Sequence, residues 1–142
     1  MSWLPRKNVV VPIDFSDISF GAVGVAKEMV DDLSHLHIVH VLPVLEPTEP
    51  GVIWSQVDNE SRSEHATAAM QKELEDRGLD GVQIVIRFGN AGHEVADHAK
   101  EIEADMIVTS SHGRSGLSHL LLGSVAERIV RFAKCPVLVV KW

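Results

Sequence analysis

A glycine-rich stretch at residues 110–124 has the residue types that hold phosphate groups. It reads S-S-H-G-R-S-G-L-S-H-L-L-L-G-S. Gly113 and Gly116 can adopt backbone conformations that other residues avoid. Gly123 and Ser124 fall where a helix is predicted to begin, and the N–H groups of a helix N-terminus attract anions. The stretch therefore predicts a phosphate-binding loop.

The segments on either side of the loop support this prediction. Residues 106–109 are a strand-like run, and residues 125–133 have the spacing of an amphipathic helix. Ser124 and Glu127 have the S-x-x-E spacing of a capping box, which predicts that Ser124 caps the helix. A strand, a glycine-rich loop and a helix N-terminus in succession can surround a phosphate with backbone N–H groups.

The residues alone leave a second interpretation of the loop open, in which its glycines only turn the chain. The sequence has neither G-x-x-x-x-G-K-S/T nor G-x-G-x-x-G, so it lacks the phosphate-binding lysine of motor-type nucleotidases. It also lacks the S-G-G-x-D-S loop and the H-x-G-H motif of adenylating enzymes. Slow or absent hydrolysis is therefore expected of any nucleotide bound here.

Strand-like and helix-like segments alternate along the rest of the chain, in the order β-α-β-α-β-α-β-α-β. Short strands rich in Val and Ile, separated by amphipathic helices, predict a parallel sheet covered on both faces. No internal repeat or linker interrupts this pattern, so residues 1–142 are predicted to form one α/β domain. Residues 43–57 contain three prolines and predict a long loop, with Trp54 exposed or covering another part of the molecule.

The charge and composition argue against several kinds of binding partner and cellular location. Thirteen Lys and Arg residues against 20 Asp and Glu residues give a net charge of −7, which argues against nonspecific binding to nucleic acid or to anionic membranes. No apolar stretch approaches the roughly 20 residues of a membrane span, and the N-terminus lacks the core of a signal peptide. Cys135 is the single cysteine; it permits no intrachain disulfide and is predicted to be a small core residue. A cytoplasmic protein is expected.

The loop resembles that of the universal stress protein family. In the ATP-binding branch of that family, a glycine, two residues, a second glycine and nine residues precede Gly-Ser or Gly-Thr. Gly113, nine residues and then Gly123 and Ser124 fit this spacing. The position of the first glycine is held by Ser110.

Three strand-like runs extend the resemblance over nearly the whole chain. They are V-V-V-P-I-D-F-S at residues 9–16, V-H-V-L-P at residues 39–43 and C-P-V-L-V-V at residues 135–140. The resemblance implies a Rossmann-like, doubly wound, five-stranded parallel sheet of the adenine nucleotide alpha-hydrolase type, with strand order 3-2-1-4-5. Ligands of such sheets bind at the carboxyl ends of the strands, beside the point where the strand order reverses.

The resemblance also implies which residues would bind ATP, with or without Mg²⁺ or Mn²⁺. Those at the adenine and ribose end would be Pro12, Asp14 and Val41. Those around the ribose and phosphates would be Thr109, Ser110, Gly113, Gly123, Ser124 and Val125.

Three of the polar residues near this site have alternative roles. Asp14 either binds the ligand or caps the helix that begins near Ser16. The hydroxyl of Ser110 could donate to the ligand, or its β-carbon could crowd it. Arg114 is well placed to meet a phosphate, although a solvated surface arginine is an equally good interpretation. His112 is expected to be a loop residue without a catalytic role.

Two groups of histidines have the residue type of metal ligands. Residues 93–98, H-E-V-A-D-H, differ from the zinc-protease motif because the histidines are five apart and Asp97 occupies the fourth place. They are predicted to be an exposed polar helix face. His35 and His37 are predicted to share one face of a strand, and two histidines alone do not make a zinc site.

The sequence thus predicts an ATP-binding universal stress protein that acts in a stress response or in regulation. The alternatives are a nucleotide-independent interaction protein and, less favoured, a small nucleotide hydrolase. Residues 137–140, V-L-V-V, would form an apolar edge strand, and such edges pair unless they are blocked. A homodimer through this strand is therefore expected, as the family resemblance also implies, together with an unidentified regulatory partner.

Overall fold

The computed structural model describes residues 3–45, 58–113 and 122–141. Within them, five strands alternate with helices. The strands are β1 (Val9–Pro12), β2 (Leu36–Leu42), β3 (Gln83–Phe88), β4 (Met106–Ser110) and β5 (Val137–Val140). The helices are α1 (Asp17–Lys27), α2 (Asn59–Asp76), α3 (Ala91–Glu101) and α4 (Ser124–Phe132), with a 3-10 turn at Leu33–His35.

The strands form one parallel sheet in the order β3-β2-β1-β4-β5. This confirms the predicted α/β class and the 3-2-1-4-5 order. The order reverses between β1, which pairs with β2 on one side, and β4, which pairs with β1 on the other. The carboxyl ends of β1 and β4 therefore lie side by side, with their connections leaving in opposite directions.

The sheet separates two hydrophobic cores, because alternate residues of each strand point to opposite faces. Val9 and Val11 pack with Phe20 of α1 and Met70 of α2. Val10 packs on the other face, among residues of α3 and α4 that include Val95 and Ile129. Burial of each such side chain contributes roughly 1.5–3 kcal/mol, so both faces hold their helices firmly against the strands.

The helix beginnings differ in how they are capped. Ser16, Asp58 and Asn90 each accept a hydrogen bond from a backbone N–H in the first turn of α1, α2 and α3. Helix α4 has Gly123 at its N-cap and no side-chain cap. The predicted capping box is therefore wrong: Ser124 is already the first helical residue, and Glu127 pairs with Arg131 instead.

Several predictions concern residues outside the described part of the chain. Trp54, Gly116 and most of the predicted loop at residues 43–57 fall there, as does Arg114.

Among the helices that the structure describes, none has the length and apolar character needed to cross a membrane. Cys135 is only half-buried and packs against the core formed by α3 and α4, and burial raises the pKa of its thiol.

Candidate functional site

A cavity of about 300 Å³ opens at the carboxyl ends of the strands, where the strand order reverses. This volume is at the lower end of the range for small-molecule sites, roughly 300–1,000 Å³. Its walls come from the ends of β1, β2 and β4 and from the first turns of α3 and α4. They are formed by Pro12, Ile13, Asp14, Ser19, Val39, His40, Val41, Ala91, Val95, Thr109, Ser110, Ser111, His112, Gly113, Gly123, Ser124, Val125 and Ala126.

Asp14 enters the cavity from the turn between β1 and α1. Its Oδ1 accepts hydrogen bonds from the backbone N–H of Ser16, at 3.0 Å, and from the Ser16 hydroxyl. The backbone N–H of Asp14 donates to the Ser19 hydroxyl at 3.3 Å. Ser16 is itself the N-cap of α1. Asp14 therefore supports the helix start and lines the cavity at once, so its two predicted roles are compatible.

The residue after Asp14 adopts an unusual backbone conformation. Phe15 has φ of 67°, a left-handed value that is rare for a bulky side chain. Its ring packs edge-on against His40, with centroids 4.8 Å apart, and against Phe20, at 6.1 Å. His40 Nδ1 lies 2.7 Å from the carbonyl oxygen of Ile13, so Nδ1 must carry the proton and donate it. These contacts hold the strained turn that presents Asp14.

Hydrogen bonds within the loop and to β5 and α4 hold the first part of the glycine-rich loop. The Ser110 hydroxyl donates to the carbonyl of His112 at 2.9 Å. The N–H of Ser111 donates to Val140 of β5 at 2.9 Å, and the carbonyl of Ser111 accepts from the N–H of Gly123 at 2.7 Å. Ser110 is 8% exposed. Its hydroxyl thus bonds within the loop, a role that neither sequence-based alternative included.

Gly113 is required by space rather than by conformation. Its φ lies outside the left-handed region, so the expectation of an unusual backbone conformation is wrong for this residue. A β-carbon at Gly113 would lie 2.5 Å from Oδ2 of Asp14. The loop and the carboxylate therefore approach each other so closely that only a hydrogen fits between them.

The N-terminus of α4 forms the opposite wall. Gly123, Ser124 and Val125 line the cavity, and the N-cap residue, Gly123, has no side chain with which to cap the helix. A β-carbon at Gly123 would lie 3.3 Å from the carbonyl oxygen of Ser111, which is a tight contact. The positive end of the helix dipole therefore faces the cavity, where it favours an anion.

Ala91 and Val95 of α3 are among the wall residues that the sequence analysis missed. They are small or apolar and occur at helical spacing, so they look like ordinary core positions. Gly92 lies between them and is buried against α4. A β-carbon there would come within 2.5 Å of the β-carbon of Arg128. Glycine at this helix crossing was a signal that could have placed α3 beside the loop.

Most of the residues implied by the family resemblance come together in the cavity. Those that line it are Pro12, Asp14, Val41, Thr109, Ser110, Gly113, Gly123, Ser124 and Val125. Arg114 is outside the described residues. Among the lining residues the structure describes, Asp14 carries the only carboxylate. No group of three or more His, Cys, Asp or Glu that could hold a metal ion occurs in residues 3–45, 58–113 and 122–141.

The histidine predictions are wrong in two respects. His98 is buried, 9% exposed, although residues 93–98 were predicted to be an exposed face. The helical spacing explains this: His98 follows Val95 by three residues and shares its inward-facing side of α3. His35 belongs to the 3-10 turn, so it does not share a strand face with His37.

The chain is similar in sequence and in structure to proteins of one known family. The model of the universal stress protein family matches residues 5–141. Universal stress protein MJ0531 of Methanocaldococcus jannaschii is 33% identical over 141 residues, which cover 95% of this chain and 82% of that protein. The solved structure of protein MJ0577, from the same organism, superimposes with a TM-score of 0.77 at 28% identity and covers 98% of both chains.

Two more distant structures contain adenine nucleotides. A universal stress protein in complex with cAMP has a TM-score of 0.65 at 24% identity, covering 96% of this chain and 98% of that chain. A family member from Arabidopsis thaliana with AMP bound has a TM-score of 0.58 at 18% identity, covering 95% and 91%. At these identities the likeness shows the fold alone. With the family match over residues 5–141, the chain belongs to the universal stress protein family.

Proposed function

We propose that this protein binds ATP in the cavity between β1 and β4 and acts as a cytoplasmic regulatory protein in a stress response. The observation that carries the proposal is the N-terminus of α4, whose N-cap residue, Gly123, has no side chain to cap it and which lines the cavity beside Gly113. Unpaired N–H groups and the helix dipole at such a terminus favour phosphate. The nucleotide-bound relatives support an adenine nucleotide as the ligand class.

The walls of the cavity suggest an orientation for the ligand. Pro12, Val41 and Val95 provide an apolar region suited to a base. Asp14 is negatively charged, so it would repel phosphates but accept hydrogen bonds from ribose hydroxyls. The phosphates would then lie toward Ser124 and Gly123, at the start of α4.

Hydrolysis is expected to be slow or absent. Among the described lining residues, Asp14 is the sole carboxylate, and its Oδ1 is already occupied by Ser16. No lysine lines this part of the cavity. A Mg²⁺ or Mn²⁺ ion brought by ATP would therefore be held mainly by the phosphates, and the ion would supply part of the charge neutralisation that phosphoryl transfer requires.

Calorimetric titration with ATP, ADP and AMP at fixed Mg²⁺ tests the proposal. ATP should bind more tightly than AMP, because the α4 terminus supplies donors for phosphates. Gly113→Ala should weaken ATP binding about tenfold or more, equivalent to about 1.4 kcal/mol, since the new methyl group must displace Asp14. Gly24→Ala is the matched control, because nothing lies within 4 Å of a β-carbon there.

The alternative function, a nucleotide-independent interaction protein, predicts a different result. None of the three nucleotides would then bind at millimolar concentration, and Gly113→Ala would behave like Gly24→Ala. Tight binding followed by rapid turnover would instead favour the small hydrolase. The first result would refute ATP binding, and the second would refute slow or absent hydrolysis.

We also propose that two copies pair through β5. This strand is at the edge of the described sheet, and its four residues, Val137–Val140, are only partly buried. Apolar edge strands pair readily, and a two-fold axis lets each copy present the same patch. Light scattering should give the mass of a dimer, and Val139→Lys should give a folded monomer. A wild-type monomer would refute the interface.

A further inference from the structure

His98 is the buried member of a partly buried polar cluster between α3 and the sheet, away from the cavity. Its ring lies 6.4 Å from that of His37 on β2, measured between centroids. Its Nδ1 lies 3.3 Å from Nη1 of Arg87 on β3. Helix α3 is thus fastened to two strands by titratable groups, in a region that is otherwise hydrophobic.

The contact with Arg87 fixes the protonation state of His98. A guanidinium can only donate, so Nδ1 must accept and the single ring proton lies on Nε2. Nε2 is buried and has no hydrogen-bond partner among the described residues. A second proton on Nδ1 would point at Arg87 and break this contact, and the ring would then carry a positive charge beside another one.

Arg87 cannot easily move away from such a charge. Its Nε lies 3.0 Å from Glu94 and its Nη1 lies 2.7 Å from Glu101, both on α3. The hydrogen bond with Glu101 is the largest cause of the raised pKa of Arg87. Burial, followed by the charges of Arg87 and His37, lowers the pKa of His98; Glu101, 3.9 Å from Nδ1, opposes this.

His37 completes the cluster from the strand side. Its Nε2 lies 3.2 Å from Oδ1 of Asn8. Burial, with a smaller effect of His35, lowers its pKa. The carboxylate of Asp105 accepts from the backbone N–H groups of Lys7 and Asn8. On the α4 side, the described cation against α3 is Arg128, which packs at Gly92, far along the helix from His98.

We propose that His37 and His98 form an acid-sensitive contact that holds α3 against the sheet when both rings are neutral and releases it when they are protonated. The geometry gives the direction. Protonation would place as many as three cations, those of His37, His98 and Arg87, close together in a partly buried cluster. Glu94 and Glu101 already bind Arg87 and cannot fully compensate for two more charges.

The sign of the pH dependence follows from the lowered pKa values of the two rings. In the unfolded chain, histidines take up protons near pH 6.5, whereas in the folded protein His37 and His98 resist protonation until lower pH. Their stabilising contribution is therefore complete above about pH 6.5 and is lost as the pH falls through the folded pKa values. The unfolded state should bind up to two more protons in that window.

Urea denaturation between pH 7.5 and pH 5.0 tests this inference in wild type, His98→Gln, His37→Gln and the control His65→Gln. His65 is exposed on α2. Below pH 6.5, the free energy of unfolding of wild type and of the control should fall with the same slope against pH. In each of the other two variants that slope should correspond to about one proton fewer taken up on unfolding. A wild-type slope in His98→Gln overturns the proposal.

A second measurement holds even if His98→Gln does not fold. Hydrogen exchange of the wild-type protein at pH 7.5 and pH 5.5, corrected for the intrinsic effect of pH, should show α3 losing protection relative to α1. Equal loss in the two helices, or none, would contradict release of α3. Neither experiment requires a nucleotide, so both are independent of the proposed ATP site.

Discussion

Gly92 lies where α3 packs closely against α4, beside the cavity. A β-carbon at Gly92 would lie 2.5 Å from the β-carbon of Arg128, 3.2 Å from its Cδ and 3.3 Å from the carbonyl oxygen of Val125. Ordinary carbon–carbon contacts are about 3.5–4.0 Å. The β-carbon of Arg128 is fixed to the backbone, so Gly92→Ala must push the two helices apart by about 1 Å.

The size of the effect follows from two opposing contributions. Overpacking of this kind costs about 1–3 kcal/mol, and the better helix propensity of alanine returns at most about 1 kcal/mol. We expect a net loss of about 1–2 kcal/mol. For a urea dependence of about 2 kcal/mol per M, the unfolding midpoint should fall by about 0.5–1 M.

The matched control is Gly24→Ala in α1, where a β-carbon meets nothing within 4 Å. It should raise stability by about 0.4–1 kcal/mol. Urea denaturation of the two variants, followed by circular dichroism, compares the same chemical change at two helical glycines. Gly92→Ala should also weaken ATP binding, since Ala91 and Val125 line the cavity. Equal stabilisation by both substitutions would refute the close helix crossing.

Two further substitutions separate the roles of the polar residues around the cavity. Ser16→Ala removes the N-cap of α1 and the support of Asp14, so it should cost about 0.5–2 kcal/mol in urea denaturation and also weaken ATP binding in calorimetry. Asp58→Ala removes the equivalent cap of α2 and should affect stability alone; equal affinities in both variants would contradict the role of Ser16. Ser110→Gly removes the hydroxyl bonded to His112, so calorimetry should show weaker ATP binding, by about 0.5–1.5 kcal/mol, whereas tighter binding would mean that the serine crowds the ligand.

Much of the fold could be predicted from the sequence because its strands are short, apolar and bounded by polar turns. The run at residues 9–12 has the composition typical of a buried parallel strand, which it forms. The proximity of Asp14 and Gly113 also followed from topology, since β1 and β4 end side by side. The two residues lie closer together than expected, because a β-carbon at Gly113 would not fit beside Oδ2 of Asp14.

The remaining features depend on tertiary contacts that leave no local pattern. Ala91 and Val95 form part of the cavity wall but have the residue types of a core. The capping box predicted at Ser124 does not form because Gly123 is the N-cap residue instead. Gly123 is held there by the hydrogen bond from its N–H to the carbonyl of Ser111. The left-handed Phe15 contradicts its own propensity and is held by its packing on His40.

The backbone of Ser111 links the end of β5 directly to the start of α4. Its N–H is held by Val140 at the end of the edge strand, and its carbonyl holds Gly123 at the start of α4. A displacement of either neighbour therefore strains the bond to the other. Any resulting coupling is thermodynamically symmetrical: if a ligand at α4 strengthens an association at β5 by some factor, that association strengthens binding of the ligand by the same factor.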